Sequence, residues 1–297
     1  MKTMIVNALY HPNVLGGAEK IAQVLAEGLR DAGNETVVVT LSPGRQHRIG
    51  QVNGIKVHYL GLKNLYWPYS GARHAAPVKA LWHGINSYNP WMARDVAQLV
   101  DAERPDVVNT HNLAGLSYGV WAAVKRRRVP VVHTLHDYGL LCPSSSMRTH
   151  DANCARPCGR CTLYTQPGRR LSQEVDAVVG VSRHTLDRHL DQGCFSRTPR
   201  RHVIYNGLPG VAAPPAAATP SAGPLRLGFV GRLIPDKGIR NLVAHLHEWP
   251  ATQCTLVVAG KGTADFERTL REAAPAHVRF LGHVDPQAVY RAVDVLI

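Results

Sequence analysis

Two cations five residues apart, Arg232 and Lys237, lie in the stretch Leu227-Gly-Phe-Val-Gly-Arg-Leu-Ile-Pro-Asp-Lys-Gly238. The run Leu225–Val230 that leads into it is short and apolar, suited to a parallel strand covered on both faces. Gly231 lets the backbone turn tightly, and a helix is expected to open near Gly238. Cations at the carboxyl end of a parallel strand, beside a helix N-terminus, suit a bound phosphate. The Arg guanidinium can hold two phosphate oxygens at once, while Lys acts as a mobile point charge. The alternative is an ordinary solvated loop.

A second set of polar residues closes other expected strands. His111 and Asn112 end the strand Asp106–His111, His136 and Asp137 end Val129–His136, and Asn206 follows His202–Tyr205. Ligands of open α/β sheets bind at that edge. A single histidine among the 16 present is most simply a satisfied hydrogen bonder, but two of them close different strands. Gly16 and Gly17 stand at the first strand-to-helix turn, where they either let a ligand approach the backbone or simply make a tight turn. The full G-x-G-x-x-G pattern is lacking, so no dinucleotide fingerprint is supported. Cys142, Cys154, Cys158 and Cys161 are spaced C-x11-C-x3-C-x2-C. Four thiolates suit a structural Zn site; free cysteines or an iron–sulfur cluster are the other readings. Cys194 and Cys254 are isolated and read as buried apolar residues.

The elements that must position these residues alternate strand and helix. Strands are expected at Met4–Leu9, Thr36–Leu41, Ile55–Leu60 and Asp176–Val181 besides those above. Helices are expected at Ala18–Asp31, Trp91–Glu103, Ala114–Arg127 and Arg183–Leu190, with Leu65–Ser70 an aromatic, proline-containing loop. The alternation predicts an α/β fold with doubly wound parallel sheets. A stretch of five prolines and six alanines at 209–224 reads as a semi-rigid linker between a first domain, 1–208, and a second, 225–297. The second repeats the pattern with strands Leu225–Val230, Cys254–Ala259, Val278–Gly282 and from Val293, and helices Ile239–Glu248, Ala264–Ala273 and Pro286–Ala292.

Composition bounds the partners. The 297 residues carry a formal charge of +13. That balance favours anionic partners such as nucleotide sugars or acidic lipid headgroups. Basic runs at Lys125–Arg128, Arg169–Arg170 and Arg197–Arg201 are singly ordinary solvated surface and together fit peripheral contact with an anionic membrane. No nucleic-acid-binding motif accompanies them, so nucleic acid is not an expected partner. The N-terminus reads as a strand rather than a signal peptide, and no apolar run is long enough to span a bilayer. A cytoplasmic protein is expected, with any membrane contact on the inner face.

The chain resembles the glycosyltransferases of family 4. The matching stretches are Gly16-Gly-Ala-Glu19, Thr134-Leu-His-Asp-Tyr138, Tyr205-Asn-Gly207, Phe229-Val-Gly-Arg-Leu233 with Lys237-Gly238, Val257-Val-Ala-Gly260 and Phe280-Leu-Gly282. They come in the family's order and cover almost the whole chain; any one is weak, and the ordered set is strong. The resemblance implies the GT-B fold of two facing Rossmann-like domains, the second here incomplete. It implies a retaining transferase that moves a sugar from a nucleoside diphosphate sugar, a UDP- or GDP-sugar, to a glycan or lipid-linked acceptor in cell-envelope polysaccharide or glycolipid synthesis.

Carried over by the same resemblance, Gly231, Arg232 and Lys237 hold the donor diphosphate, and the two cations stabilise the charge that grows as the glycosidic bond breaks. Gly16 and Gly17 lie against the donor phosphate or the acceptor. His136 faces the transferred sugar and counts with Arg232 and Lys237 as catalytic, while His111, Asn112, Asp137 and Asn206 fall on the acceptor or sugar side. No catalytic metal is expected, and no D-x-D motif occurs; cations and helix dipoles serve the departing diphosphate. One departure stands out. The family's E-x-x-x-x-x-x-x-E motif and closing helix do not follow before Ile297, so a C-terminally truncated chain is expected. A noncatalytic remnant or binding module, or another GT-B enzyme such as a nucleotide-sugar epimerase, are the alternatives.

Overall fold

The computed structural model describes residues 1–149, 152–207 and 223–297. The chain divides into two compact units, Met1–Val211 and Ala212–Ile297. The linker expected at 209–224 lies, except for its last two residues, outside the described residues.

In the first unit the elements run β1 (Lys2–Val6), α1 (Gly17–Asp31), β2 (Glu35–Ser42), β3 (Arg48–Val52), β4 (Ile55–Gly61), α2 (Ala76–Ser87), α3 (Pro90–Glu103), β5 (Val107–Thr110), α4 (Gly119–Lys125), β6 (Val131–Leu135), β7 (Arg148–Thr149), β8 (Ala152–Asn153), α5 (Gly159–Leu171), β9 (Ala177–Gly180), α6 (Arg183–Leu190) and β10 (Arg200–Val203). Eight strands form one sheet in the order β10-β9-β6-β5-β1-β2-β4-β3. All its pairings are parallel except β3 with β4. β7 and β8 pair separately as a short hairpin.

The sequence of β2 explains its place. Val37, Val38 and Val39 are all buried, because helices cover both sheet faces and leave no solvent side to alternate toward. On one face Ala22 and Ala26 of α1 meet Ile5, Val38 and Val57. On the other, Val96 and Val100 of α3 and Val120, Trp121 and Val124 of α4 meet Met4, Val37, Val108 and Val131. The chain winds from β1 toward β2 and β4, then returns to place β5 on the other side of β1. The order therefore reverses between β1 and β5, and a crevice opens outside their carboxyl ends.

Several boundaries differ from expectation. The fourth helix begins at Gly119 rather than Ala114, because Gly115 and Ser117 take left-handed conformations with φ of 87° and 68°. Helices α2 and α5 were not expected. Trp82 is the one residue buried in α2, and α5 is polar with Pro167 inside it, so neither shows an apolar stripe. Strand β3 buries only Val52 and carries no alternation to detect.

At the β1 start and α3 end, one carboxylate gathers three basic groups. Glu103 accepts from Lys2 Nζ at 2.9 Å, Lys56 Nζ at 2.6 Å and meets His58 Nε2 at 2.8 Å. Burial alone would raise its pKa, but the hydrogen bonds from Lys56, Lys2 and His58 outweigh it and hold the carboxyl at about 2. A folded-state pKa below the unfolded one contributes stability above the unfolded value, which is lost as pH falls from about 4.5 toward about 2. Glu103→Gln is expected to lower stability at pH 7 by on the order of 2 kcal/mol, allowing for screening through half-exposed Lys56. The gap between the two proteins in urea unfolding should shrink steadily as pH falls from about 4.5 toward about 2; a gap unchanged between pH 7 and pH 3 would contradict the assignment.

The second unit holds β11 (Leu225–Val230), α7 (Ile239–His245), β12 (Cys254–Ala259), α8 (Ala264–Glu272), β13 (Val278–Gly282), α9 (Pro286–Ala292) and β14 (Val295–Leu296). Its four strands are parallel in the order β13-β12-β11-β14. Leu227, Phe229, Leu256 and Val258 pack under Ile239, Val243 and Leu270. Among the described residues of either unit, no helix is long and apolar enough to cross a membrane.

Candidate functional site

The crevice predicted by the topology carries a polar network. Its base is set by backbone pairing. His111 N donates to Val6 O at 2.9 Å, and Ala8 N to Asn112 O at 2.7 Å. Asn112 N donates to Asn7 Oδ1 at 3.0 Å, locking the loops after β1 and β5 together. Asn112 Nδ2 then donates to Asp137 Oδ2 at 3.2 Å, across to the loop after β6. Asp137 Oδ1 accepts from Gly139 N at 2.7 Å. Burial raises the Asp137 pKa, only partly offset by the Gly139 amide, and Glu19 raises it further.

His111 and His136 meet in this crevice, with Nδ1 of the first 2.8 Å from Nε2 of the second. Burial lowers His136 to about 4. Burial, then the neighbouring His136 and His133, holds His111 well below the usual imidazole range. Both rings are therefore neutral at physiological pH, and one proton is shared along the line between them. His111 Nε2 is buried without a partner. Behind it, His133 Nδ1 lies 2.9 Å from Thr110 Oγ1, which also accepts from Trp121 Nε1. His111, His133 and His136 all line a cavity of about 50 Å³. That volume admits a few hydroxyl-sized groups.

The cavity's far wall is built by helices absent from the sequence reading. His83, Asn86 and Ser87 of α2, and Tyr164 and Thr165 of α5, line it. Ser87 Oγ donates to Tyr164 O at 2.6 Å and clamps the two helices. The helical spacing of 83, 86 and 87 is the signal that could have revealed this wall.

Gly16 and Gly17 open α1 at the same sheet edge. Gly16 N donates to Glu19 Oε2 at 2.7 Å, capping the first turn of α1, and a Cβ on Gly17 would meet nothing within 4 Å. Glu19 and Asp137 both raise the pKa of Tyr69, after burial, which brings the loop after β4 to the same crevice. Asn206 is not gathered in: it is exposed beyond β10, at the edge of the sheet.

In the second unit, Gly231, Arg232 and Lys237 follow β11 as expected. Gly231 N donates to Ala259 O at 3.0 Å. Pro235–Lys237 form a single 3-10 turn, and Gly238, at φ 74°, opens α7. Arg232 and Lys237 are exposed, and among the described residues neither side chain forms an ion pair. Gly260 has φ 149°, and a Cβ there would stand 1.8 Å from Gly231 O. The two strand ends can meet only if that position has no side chain.

The four cysteines do not gather around one point. Cys161 Sγ lies 3.5 Å from Cys142 Sγ, and burial, then Cys158 and Cys142, pushes the Cys161 thiol up to about 12. Cys154 follows the β7–β8 hairpin and instead meets Thr149 Oγ1 at 3.3 Å. Among the described residues, no group of three or more His, Cys, Asp or Glu is arranged to hold a metal ion. The four-thiolate arrangement is thus not assembled among the described residues, where Cys154 follows the β7–β8 hairpin.

Known proteins bear on this arrangement. The profile of Glycosyltransferase Family 4 matches residues 15–209. A Klebsiella pneumoniae protein described as an uncharacterized 42.6 kDa protein in the cps region is 30% identical over 299 residues, covering 100% of this chain and 78% of that protein. The glycogen synthase of Mycobacterium tuberculosis is 24% identical over 308 residues, covering 96% of this chain and 68% of its own. Among solved structures, HepE of Anabaena in complex with UDP superposes with a TM-score of 0.65 at 19% identity, over 100% of this chain and 73% of that one. The fold is that of the GT-B glycosyltransferases, and the chain belongs to glycosyltransferase family 4.

Proposed function

We propose that the protein is a retaining glycosyltransferase that moves a sugar from a nucleoside diphosphate sugar to a hydroxyl of a saccharide acceptor, with the second unit binding the donor and the first the acceptor. The observation that carries this reading is the neutral His111–His136 pair beside Asp137 and Asn112, lining a cavity at the strand-order reversal. The neutral imidazole pair offers donors and acceptors to sugar hydroxyls, and the Asp137 carboxyl beside it can accept from one. His136 would face the transferred sugar. Arg232 and Lys237, exposed and without ion-pair partners among the described residues, would take the diphosphate and stabilise the charge that develops on it. Gly16 and Gly17 would let a donor phosphate approach the backbone before α1, where the Cβ position of Gly17 is open; the Gly16 N–H is already taken by Glu19. UDP is the first donor base to try, because the Anabaena HepE structure holds UDP; the Klebsiella relative's cps region favours envelope polysaccharide as the product class. A cytoplasmic site of action goes with this reading.

The test is a panel of UDP-, GDP- and ADP-sugars incubated with the full chain and candidate saccharides, with nucleoside diphosphate release followed by chromatography. Release that depends on both acceptor and Arg232 supports the proposal. Free epimerised nucleotide sugar, with no glycoside formed, would point to an epimerase instead.

A further inference from the structure

We propose that Cys142 and Cys161 are a reversible disulfide site, oxidised by hydrogen peroxide, whose bond draws two walls of the first unit's cavity together. The bond stands on its own geometry; its effect on turnover rests on the glycosyl-transfer reading above. Both are free thiols, and Cys161 Sγ donates to Cys142 Sγ at 3.5 Å. A disulfide brings its sulfurs to about 2.05 Å, so the pair must close by about 1.5 Å. Local bonds hold each sulfur facing the other. Cys142 N donates to Tyr138 O, and Ser145 N to Cys142 O, both at 2.8 Å, while Cys142 Sγ meets Ser144 Oγ at 3.0 Å. Cys161 stands in the first turn of α5, where its carbonyl accepts from Thr165 Oγ1 at 2.9 Å. The remaining buried thiols lie elsewhere, Cys194 in the core of the first unit and Cys254 in that of the second.

The two sulfurs sit behind opposite walls. Cys142 immediately precedes Pro143, and Ser145 follows; both line the cavity, on the loop that also carries His136 and Asp137. Cys161 precedes Tyr164 and Thr165, which line it from α5. A cavity of about 50 Å³ has little room to lose, so pulling Pro143 toward Tyr164 narrows the space beside His136. Cys161 is half-buried and Cys142 buried, so a small oxidant reaches Cys161 first. The Cys161 thiolate attacks one peroxide oxygen; an S–O bond forms, the O–O bond breaks, and the departing hydroxide takes a proton to become water. The Cys142 sulfur then attacks the Cys161 sulfur. The S–S bond forms, the S–O bond breaks, and the hydroxide leaves with the Cys142 proton as a second water. Two thiols are oxidised by two electrons and one peroxide is reduced. A reducing dithiol restores both thiols by exchange. In the cytoplasmic setting proposed above, the dithiol is the resting form and the disulfide is transient.

The test treats the full chain with hydrogen peroxide, blocks remaining thiols and maps peptides without reduction. A Cys142–Cys161 linkage is expected, with a mass lower by two hydrogen atoms, and dithiothreitol should return the parent mass. Hydrogen exchange should slow about tenfold in the first turns of α5 and in the loop 138–147 of the oxidised form, and recover on reduction. Cys161→Ser should abolish both changes, and Cys158→Ser should keep both, since Cys158 is outside the pair. A linkage of Cys158 to Cys161, sulfinic acid at Cys161 with no linkage, or oxidation that leaves exchange unchanged would each overturn the proposal. Zinc retained at one ion per chain after dialysis against a chelator, with the thiols then resisting peroxide, would assign them to a metal and overturn it as well. None of these readouts requires turnover. Where transfer is observed, oxidation should lower it about tenfold and dithiothreitol should restore it; full activity in a chain mapped as Cys142–Cys161 disulfide would overturn the narrowing. Loss of the glycosyl-transfer reading shows separately, as absent transfer in the reduced chain.

Discussion

Arg232→Ala is expected to lower kcat/KM for the nucleotide sugar about 100- to 1,000-fold while leaving thermal stability within about 0.5 kcal/mol of the parent. The two halves of that expectation have different origins. Arg232 is exposed and forms no ion pair among the described residues, so the fold does not depend on it. Its guanidinium follows the carboxyl end of β11, held by the Gly231 N to Ala259 O bond. There it can donate two parallel hydrogen bonds to phosphate oxygens as negative charge grows on the leaving diphosphate. Arg232→Lys should recover only part of the loss, because a point charge replaces the fork. Lys237→Ala should act in the same direction. Steady-state kinetics with donor varied at saturating acceptor is the measurement, and a loss below tenfold would remove Arg232 from the proposed chemistry.

Gly260→Ala should instead act through the fold. A Cβ at that position would stand 1.8 Å from Gly231 O, and the backbone φ of 149° already disfavours any side chain. Neither neighbour can yield, because both are backbone at adjoining strand ends. Gly260 N itself is bonded to Gly282 O at 2.7 Å. The expected cost exceeds about 4 kcal/mol, enough to unfold the second unit, whose core is the smaller of the two. Hydrogen exchange on the full chain should show lost protection across 223–297 and unchanged protection in β1, β5 and β6 of the first unit. Gly17→Ala is the control, since its Cβ would meet nothing within 4 Å. A Gly260→Ala protein as resistant to urea as the parent would refute this packing.

The strand ends were legible from sequence because parallel strands buried on both faces leave continuous apolar runs, such as Val37–Val39 and Val257–Ala259, with polar residues at their carboxyl ends. His111, Asn112, His136 and Asp137 come together for that reason. The far wall was not legible. Helices α2 and α5 rest on the unit with little apolar area, and α5 contains Pro167 and Gly168. Its close approach to Tyr118 and Leu140 rests on Gly168, where a Cβ would come within 2.5 Å of Tyr118 Cδ2, a contact that no periodicity encodes. Cysteine spacing gives only separation along the chain, while the β7–β8 hairpin sets where Cys154 lies. Asn206 shares a motif with its neighbours, yet β10 is an edge strand two places from β6, and proximity in pattern did not become proximity in space.

The central claim is that sugar is transferred from a nucleoside diphosphate sugar with its anomeric configuration kept. The direct measurement is proton NMR of the glycoside formed from a UDP-α-sugar by the full chain, read from the anomeric coupling constant before any equilibration. An α-linked product formed in step with UDP release, and abolished in Arg232→Ala, is the predicted result. A β-linked product, or UDP-sugar returned with one ring carbon epimerised and no glycoside, would contradict it.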